Sequence, residues 1–235
     1  VSHKLTWSHY FELLKIDDDL ARNFYLNQAI AENWTVRELK RQKKSGLFQR
    51  LALSKNKEKI VELSKQGQIV KSETDLTRDP YIFEFLGIPE KAEYTENDIE
   101  KAIINNLQIF LLELGKGFAF IGRQQRITLN NRHYYVDLVF YHTKLKCYVL
   151  IDLKIGEIEY EHIGQMKLYL GYYEKEINDE KDNQPIGIIL SEEKDDIMVE
   201  YAMLNDKTKL IVSKYQLFLP DVNELKMRVK EIIDK

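Results

Sequence analysis

Two strand-like segments of this chain carry acids where sheets ordinarily carry apolar side chains. Asp137 lies within Tyr134-Tyr135-Val136-Asp137-Leu138-Val139-Phe140-Tyr141, and about a dozen residues later Tyr148-Val149-Leu150-Ile151 runs into Asp152-Leu153-Lys154. Side chains alternate along a strand with period two, so Asp152 and Lys154 point the same way while Ile151 and Leu153 point into the opposite layer. Burying such groups is costly unless a metal or a partner compensates. Hard oxygen ligands suit magnesium, or manganese, which keeps several waters and takes one or two carboxylates plus a substrate phosphate. Asp137 and Asp152 match that requirement, and Lys154 stands where it can orient a water. The competing reading of Asp152 with Lys154 is an exposed same-face ion pair, worth about 0 to 1 kcal/mol. That pairing explains the charges but not their burial.

The elements that must position these residues follow from spacing. Thr95-Glu96-Asn97-Asp98 has the form of a capping box, and Ile99, Ile103, Phe110 and Leu114 predict one long amphipathic helix ended by Gly115 and Gly117. Strands are predicted at 118–129, 132–142 and 146–154, joined tightly at Asn130-Asn131 and around Thr143-Lys144, which makes an antiparallel meander. A helix over about 160–175, a short apolar strand at 185–190, a helix at 197–204 and a last strand at 209–213 complete the order. Polar sequence from Ser64 to Asp79, ending in Asp79-Pro80, predicts a boundary between a helical domain with its linker, 1–78, and a second domain, 79–235.

Further candidate residues sit on these helices. Glu113, in the last turn of its helix, opposes the helix dipole and falls on the apolar stripe of Phe110, two local preferences broken at once. Gln165 and Tyr169, four apart, share a face of the helix that follows Lys154. Gly164 and Gly171 on that helix each cost about 1 kcal/mol relative to alanine, which predicts close approach of the helix to the sheet.

The bulk numbers place the chain among ordinary soluble proteins. With 235 residues, 44% hydrophobic and 11% aromatic, it can bury a real core. No apolar run reaches the roughly 18 residues of a membrane span, the N-terminus has no signal-peptide pattern, and the expected location is the cytoplasm, away from membranes. A lone Cys147 excludes an intrachain disulfide and a cysteine-rich zinc site. The net charge of -3 hides a polarised chain: nine Lys or Arg face two acids from Arg37 to Lys59, and ten acids face three lysines from Glu174 to Glu200. Within the basic stretch, Thr35-Val36-Arg37-Glu38 forms another capping box. The helix it starts turns Val36 and Leu39 inward and Arg37, Lys40, Arg41 and Lys44 outward, with Gly46 placed to stop it. The first part, through about residue 63, reads as two or three short helices, and with this basic exposed helix it suits nucleic-acid phosphate as a helix-turn-helix relative, or else the basic face is a solvated surface.

Taken in order, helix, meander, Asp, Asp-x-Lys and Gln-xxx-Tyr resemble the PD-(D/E)XK nuclease superfamily, and within it the YhcG-type proteins. The resemblance runs over roughly 79–220. It is carried by Asp79-Pro80-Tyr81, Phe110-Leu111-Leu112-Glu113-Leu114-Gly115, Gly122-Arg123-Gln124, Tyr135-Val136-Asp137-Leu138, Ile151-Asp152-Leu153-Lys154-Ile155-Gly156 and Gly164-Gln165-Met166. Trp34-Thr35-Val36-Arg37-Glu38-Leu39 resembles the helical domain of that group. One departure is Val136, where the motif has proline. The resemblance implies an α/β fold with a restriction-endonuclease-like mixed sheet flanked by helices, an αβββαβ core preceded by a small helical domain. It implies metal ligation by Asp137 and Asp152, water orientation by Lys154, an accessory helix acid at Glu113, and Gln165 and Tyr169 as the Gln-xxx-Tyr pair. Expected beyond that are a magnesium-dependent nuclease acting on DNA, Arg123 and Gln124 beside the basic helix as nucleic-acid contacts, and a homodimer as in nucleases that pair to cut two strands. A catalytically quiet nucleic-acid-binding or protein-interaction module on the same fold is the alternative.

Overall fold

The computed structural model describes residues 4–53, 55–78, 80–89, 93–204 and 207–234. The chain forms two compact units, one of 1–69 with 219–235 and one of 70–218. This division differs from the expected joint at 79 and separates the C-terminal helix from an undivided 79–235; Asp79 itself lies outside the described residues.

Among the described residues, the first unit begins with five helices: α1 (Trp7–Leu13), α2 (Asp19–Glu32), α3 (Val36–Lys44), α4 (Leu47–Ala52) and α5 (Lys57–Gln66). The sequence predicted two or three. The missing ones are short, and their identity as helices comes from packing around Phe24, Leu39, Leu47, Phe48 and Ile60, all fully buried, more than from local periodicity. The Thr35 box forms as expected: Thr35 Oγ1 accepts from Glu38 N–H at 3.2 Å and the Glu38 carboxylate accepts from Thr35 N–H at 2.6 Å. Gly46, left-handed at φ 63°, separates α3 from α4.

The second unit is a six-stranded sheet between two helical layers. Its elements in order are β1 (Tyr81–Ile82), α6 (Glu96–Asn105), α7 (Leu107–Leu114), β2 (Phe118–Leu129), β3 (Arg132–His142), β4 (Cys147–Glu157), α8 (Tyr160–Tyr172), β5 (Ile186–Glu193), α9 (Asp196–Ala202) and β6 (Lys209–Gln216). A last helix, α10 (Val222–Asp234), packs on α4 in the first unit. The strand order is β1-β6-β5-β4-β3-β2. β2, β3 and β4 make the expected antiparallel meander, with Asn130 and Asn131 both at positive φ in its first turn, while β4, β5, β6 and β1 run parallel. On one face Ile99, Ile103, Phe110 and Leu114 cover Leu138, Phe140, Ile151 and Leu153. On the other, Ile163, Met166, Tyr169 and Leu170 cover Val136, Val139, Leu150 and Ile189.

Two expectations are corrected, and one strand was not foreseen. The single helix over 95–114 is two, because Asn106 leaves helical geometry (φ -119°, ψ 27°) and its side-chain amide donates to Ala102 O at 3.0 Å, competing with the backbone ladder. The capping box at Thr95 and Asp98 does start α6. β1, a two-residue edge strand, has no sequence signal; it exists because β6 offers a free edge. A Cβ on Gly164 or Gly171 meets nothing within 4 Å, whereas one on Gly187 of β5 falls 2.7 Å from Met166 Cγ, so the close approach of α8 to the sheet is made from the strand side. Among the described residues, no helix is long and apolar enough to cross a membrane.

Candidate active site

The β3–β4 ladder ends at the pair Leu138 and Ile151, and Asp137 and Asp152 stand one step beyond it. Where the backbone bond stops, the side chain takes over: Asp137 Oδ2 accepts from Leu153 N–H at 2.8 Å. The interruption also shifts faces, since Val136 and Val139 lie in one core while Leu138 lies in the other. Asp152 is 2% exposed and Asp137 partly buried. Burial, then the nearby Asp152 carboxylate, pushes Asp137 up to about 7. Burial raises Asp152 as well, against the pull of Lys154.

Lys154 lies on the same face as Asp152, as the alternation requires, with Nζ 2.9 Å from Asp152 Oδ2. Burial works against its charge, but Asp152, Glu96 and Asp137 outweigh that and hold its pKa above the usual lysine value. Asp152 Oδ2 is buried and receives no well-directed hydrogen bond despite the close ammonium. Two acids with hard oxygen donors, one of them with an oxygen lacking a directed donor, fit a divalent cation. Among the described residues no group of three or more His, Cys, Asp or Glu surrounds a common metal position.

Beside this group opens a cleft of about 590 Å³ lined by Glu96, Tyr134, Lys154, His162, Gln165 and other α8 residues. Gln165 thus reaches the same cleft as Lys154, as its position on α8 predicts. Tyr169 is buried, and its hydroxyl donates to Tyr135 O at 3.1 Å, two residues before Asp137; it ties α8 to the strand and does not line the cleft.

Glu113 goes elsewhere. Fully buried at the end of α7, it accepts from Ile82 N–H at 3.1 Å, and the buried Arg78 guanidinium both lies 3.9 Å from its carboxylate and donates to its backbone carbonyl. Its broken preferences are explained by anchoring β1. The acids that α6 brings to the site are Glu96, 3.7 Å from Lys154 Nζ, and Glu100, which is 2% exposed and joined to Asp137 through the Gln124 amide. Glu100 shares the stripe of Ile99 and Ile103, but it lies away from the last turn of its helix, so only half of the rule that singled out Glu113 applied to it. Burial, first, and Asp137 raise its pKa.

The expected nucleic-acid contacts divide. Arg37, Lys40 and Lys44 are exposed and Arg41 is half-buried. Lys40 lies 3.6 Å and Lys43 3.3 Å from Glu12, whose carboxyl is held down at about 2, chiefly by its hydrogen bond to Lys15 and also by Lys43. Arg123, half-exposed, reaches Glu100 at 3.5 Å. Gln124 is exposed, but its amide is engaged by Glu100 and by Asp137 Oδ1, the latter at 3.0 Å.

Residues 74–230 match the model of the YhcG PDDEXK nuclease domain, and residues 1–50 that of the DUF1016 N-terminal domain. The chain is 36% identical over 224 residues to the Escherichia coli (strain K12) protein named "Putative nuclease YhcG", an alignment covering 95% of this chain and 59% of that protein. It therefore spans less than two thirds of that relative's length. A repair endonuclease from Pyrococcus abyssi overlaps 56% of this chain and 50% of its own at 21% identity and a TM-score of 0.37. EndoMS in its apo form overlaps 55% and 48% at 15% identity and a TM-score of 0.36. By the match over 74–230, and by the Asp, Asp-x-Lys arrangement at the end of the meander, the chain belongs to the YhcG-type PDDEXK nuclease domain family.

Proposed function

We propose that this protein hydrolyses DNA phosphodiester bonds with a divalent metal, magnesium or in its place manganese. The observation that carries the reading is the buried Asp152 beside Asp137 and 2.9 Å from the Lys154 ammonium, at the edge of an open cleft. Asp137 and Asp152 would hold the metal, which when bound supplies Lewis acidity toward the phosphate and lowers the pKa of a water.

The chain's own residues do the rest. Lys154, kept charged by Asp152 and Glu96, orients the attacking water and offsets negative charge that develops on the phosphate. Gln165 stands across the cleft as a hydrogen-bond partner for a phosphate oxygen. Tyr169 holds the Tyr135 carbonyl and so fixes the strand two residues before Asp137. The exposed charges of α3 supply sequence-independent affinity for the nucleic-acid backbone.

The test is a cleavage assay of the full chain on linear, forked and circular DNA with magnesium and with chelator. Cleavage of at least one substrate, abolished by chelator, is expected. No cleavage of any substrate with magnesium or manganese contradicts the proposal.

A further inference from the structure

Gln124 has two features that a strand residue ordinarily lacks. Its backbone is left-handed, at φ 46°, in the interior of β2, where a side chain with a Cβ is strained. It also sits between the ladder pairs Arg123 with Leu138 and Gln125 with Val136, directly across from Asp137. An irregular strand backbone beside a site is a means of re-aiming a side chain. Here the re-aimed group is an amide whose Nε2 donates both to Glu100 and, at 3.0 Å, to Asp137 Oδ1.

The consequence for Asp137 is that both carboxylate oxygens are fixed: Oδ1 by Gln124 and Oδ2, at 2.8 Å, by Leu153 N–H. Gln124 is fixed in turn by Glu100, which is buried on α6 and approached by Arg123 at 3.5 Å. A carboxylate so held presents its remaining lone pairs in one direction. Without the amide, Oδ1 is free to rotate, and Glu100 and Asp137 face each other with no donor between them.

We infer that Gln124 is a positioning residue: the chain Glu100, Gln124, Asp137 orients Asp137 for divalent-cation binding, and the strained backbone at Gln124 is kept for that purpose. The inference rests on the metal reading above. Groups that hydrogen-bond to ligating side chains typically account for about 10- to 100-fold in metal affinity.

The experiment is calorimetric titration of manganese into the full chain, with thermal unfolding measured on the same samples without metal. Gln124→Gly removes the amide and relieves the backbone, so affinity should fall about 10- to 100-fold while Tm stays level or rises. Gln124→Ala keeps the strained position and should lose the same affinity with a lower Tm. Glu100→Ala should lose affinity too, and the double variant Glu100→Ala, Gln124→Gly should lose little more than either alone, since the residues act in series. Unchanged or tighter manganese binding in Gln124→Gly overturns the inference while leaving the metal reading intact. So does a lower Tm in Gln124→Gly with unchanged affinity, which makes Gln124 a fold residue only. A wild-type chain that binds no manganese removes the metal reading and this inference with it.

Discussion

Asp137 and Asp152 come together at the point where β3 and β4 part, and protonation of Asp137 relieves the repulsion of two charges in a poorly solvated place. Because burial and the neighbouring acid raise Asp137 from 3.8 to about 7, the folded protein binds more protons than the unfolded one between those values. Stability from this group is therefore full below about 4 and is lost as pH rises through 7. Asp137→Asn removes that titration. Its Tm relative to wild type, in chelator, should shift in favour of the variant as pH rises from 4 to 7, and a pH-independent difference contradicts the assigned pKa. Lys154 has a separable role. In Lys154→Met the stem remains and the ammonium goes, so turnover should fall at least tenfold while manganese affinity, read by calorimetry, changes far less. Equal losses in both would make Lys154 an organiser of the metal site. These three residues were legible in the sequence because the signal is local, an acid or a lysine at a fixed parity inside an apolar strand. Glu100 was not, because its proximity to Asp137 arises only when α6 packs over the sheet.

At the scale of elements, the order of helices and strands in the second unit followed from periodicity and caps, and the departures have local causes. Asn106 divides the predicted long helix, and β1 depends on a partner some 130 residues away along the chain, with Tyr81 paired to Tyr215. Sequence reasoning placed the helix-to-sheet contact on the glycines of α8, since a glycine in a helix is conspicuous. The contact instead falls on Gly187, inside an apolar strand where a glycine also has a cost but no distinguishing pattern. Gly187→Ala forces a methyl against Met166 and Leu170 and should destabilise by roughly 1 to 3 kcal/mol. Gly171→Ala enters open space on a helix and should be neutral or stabilising by up to about 1 kcal/mol. Denaturant unfolding checks both, and the reverse ranking would show that α8 is seated differently on β5.

At the scale of the whole molecule, the nine positive charges from Arg37 to Lys59 overstate the surface available to phosphate. Arg50 is fully buried, with Nε donating to Ser45 O at 2.8 Å, and Lys40 and Lys43 pair with Glu12. Composition alone does not show which charges are spent inside a unit. If α3 and its neighbours neutralise about four phosphates, log affinity for DNA should fall with log salt at a slope of roughly -3.6. Charge reversal of Arg37 and Lys44, exposed charges of α3 other than Lys40, should weaken binding for all sequences alike and flatten that slope. An unchanged slope in that variant would make α3 a solvated surface and move the binding to the second unit.

The central claim is that Asp152 belongs to a hydrolytic metal site, and the most direct measurement compares wild type with Asp152→Ala in magnesium-dependent DNA cleavage, with circular dichroism to confirm that both are folded. Loss of a catalytic metal ligand removes several kcal/mol of transition-state stabilisation, so the variant should be slower by on the order of a thousandfold or more with its spectrum unchanged. A folded Asp152→Ala that cleaves at the wild-type rate would contradict the account.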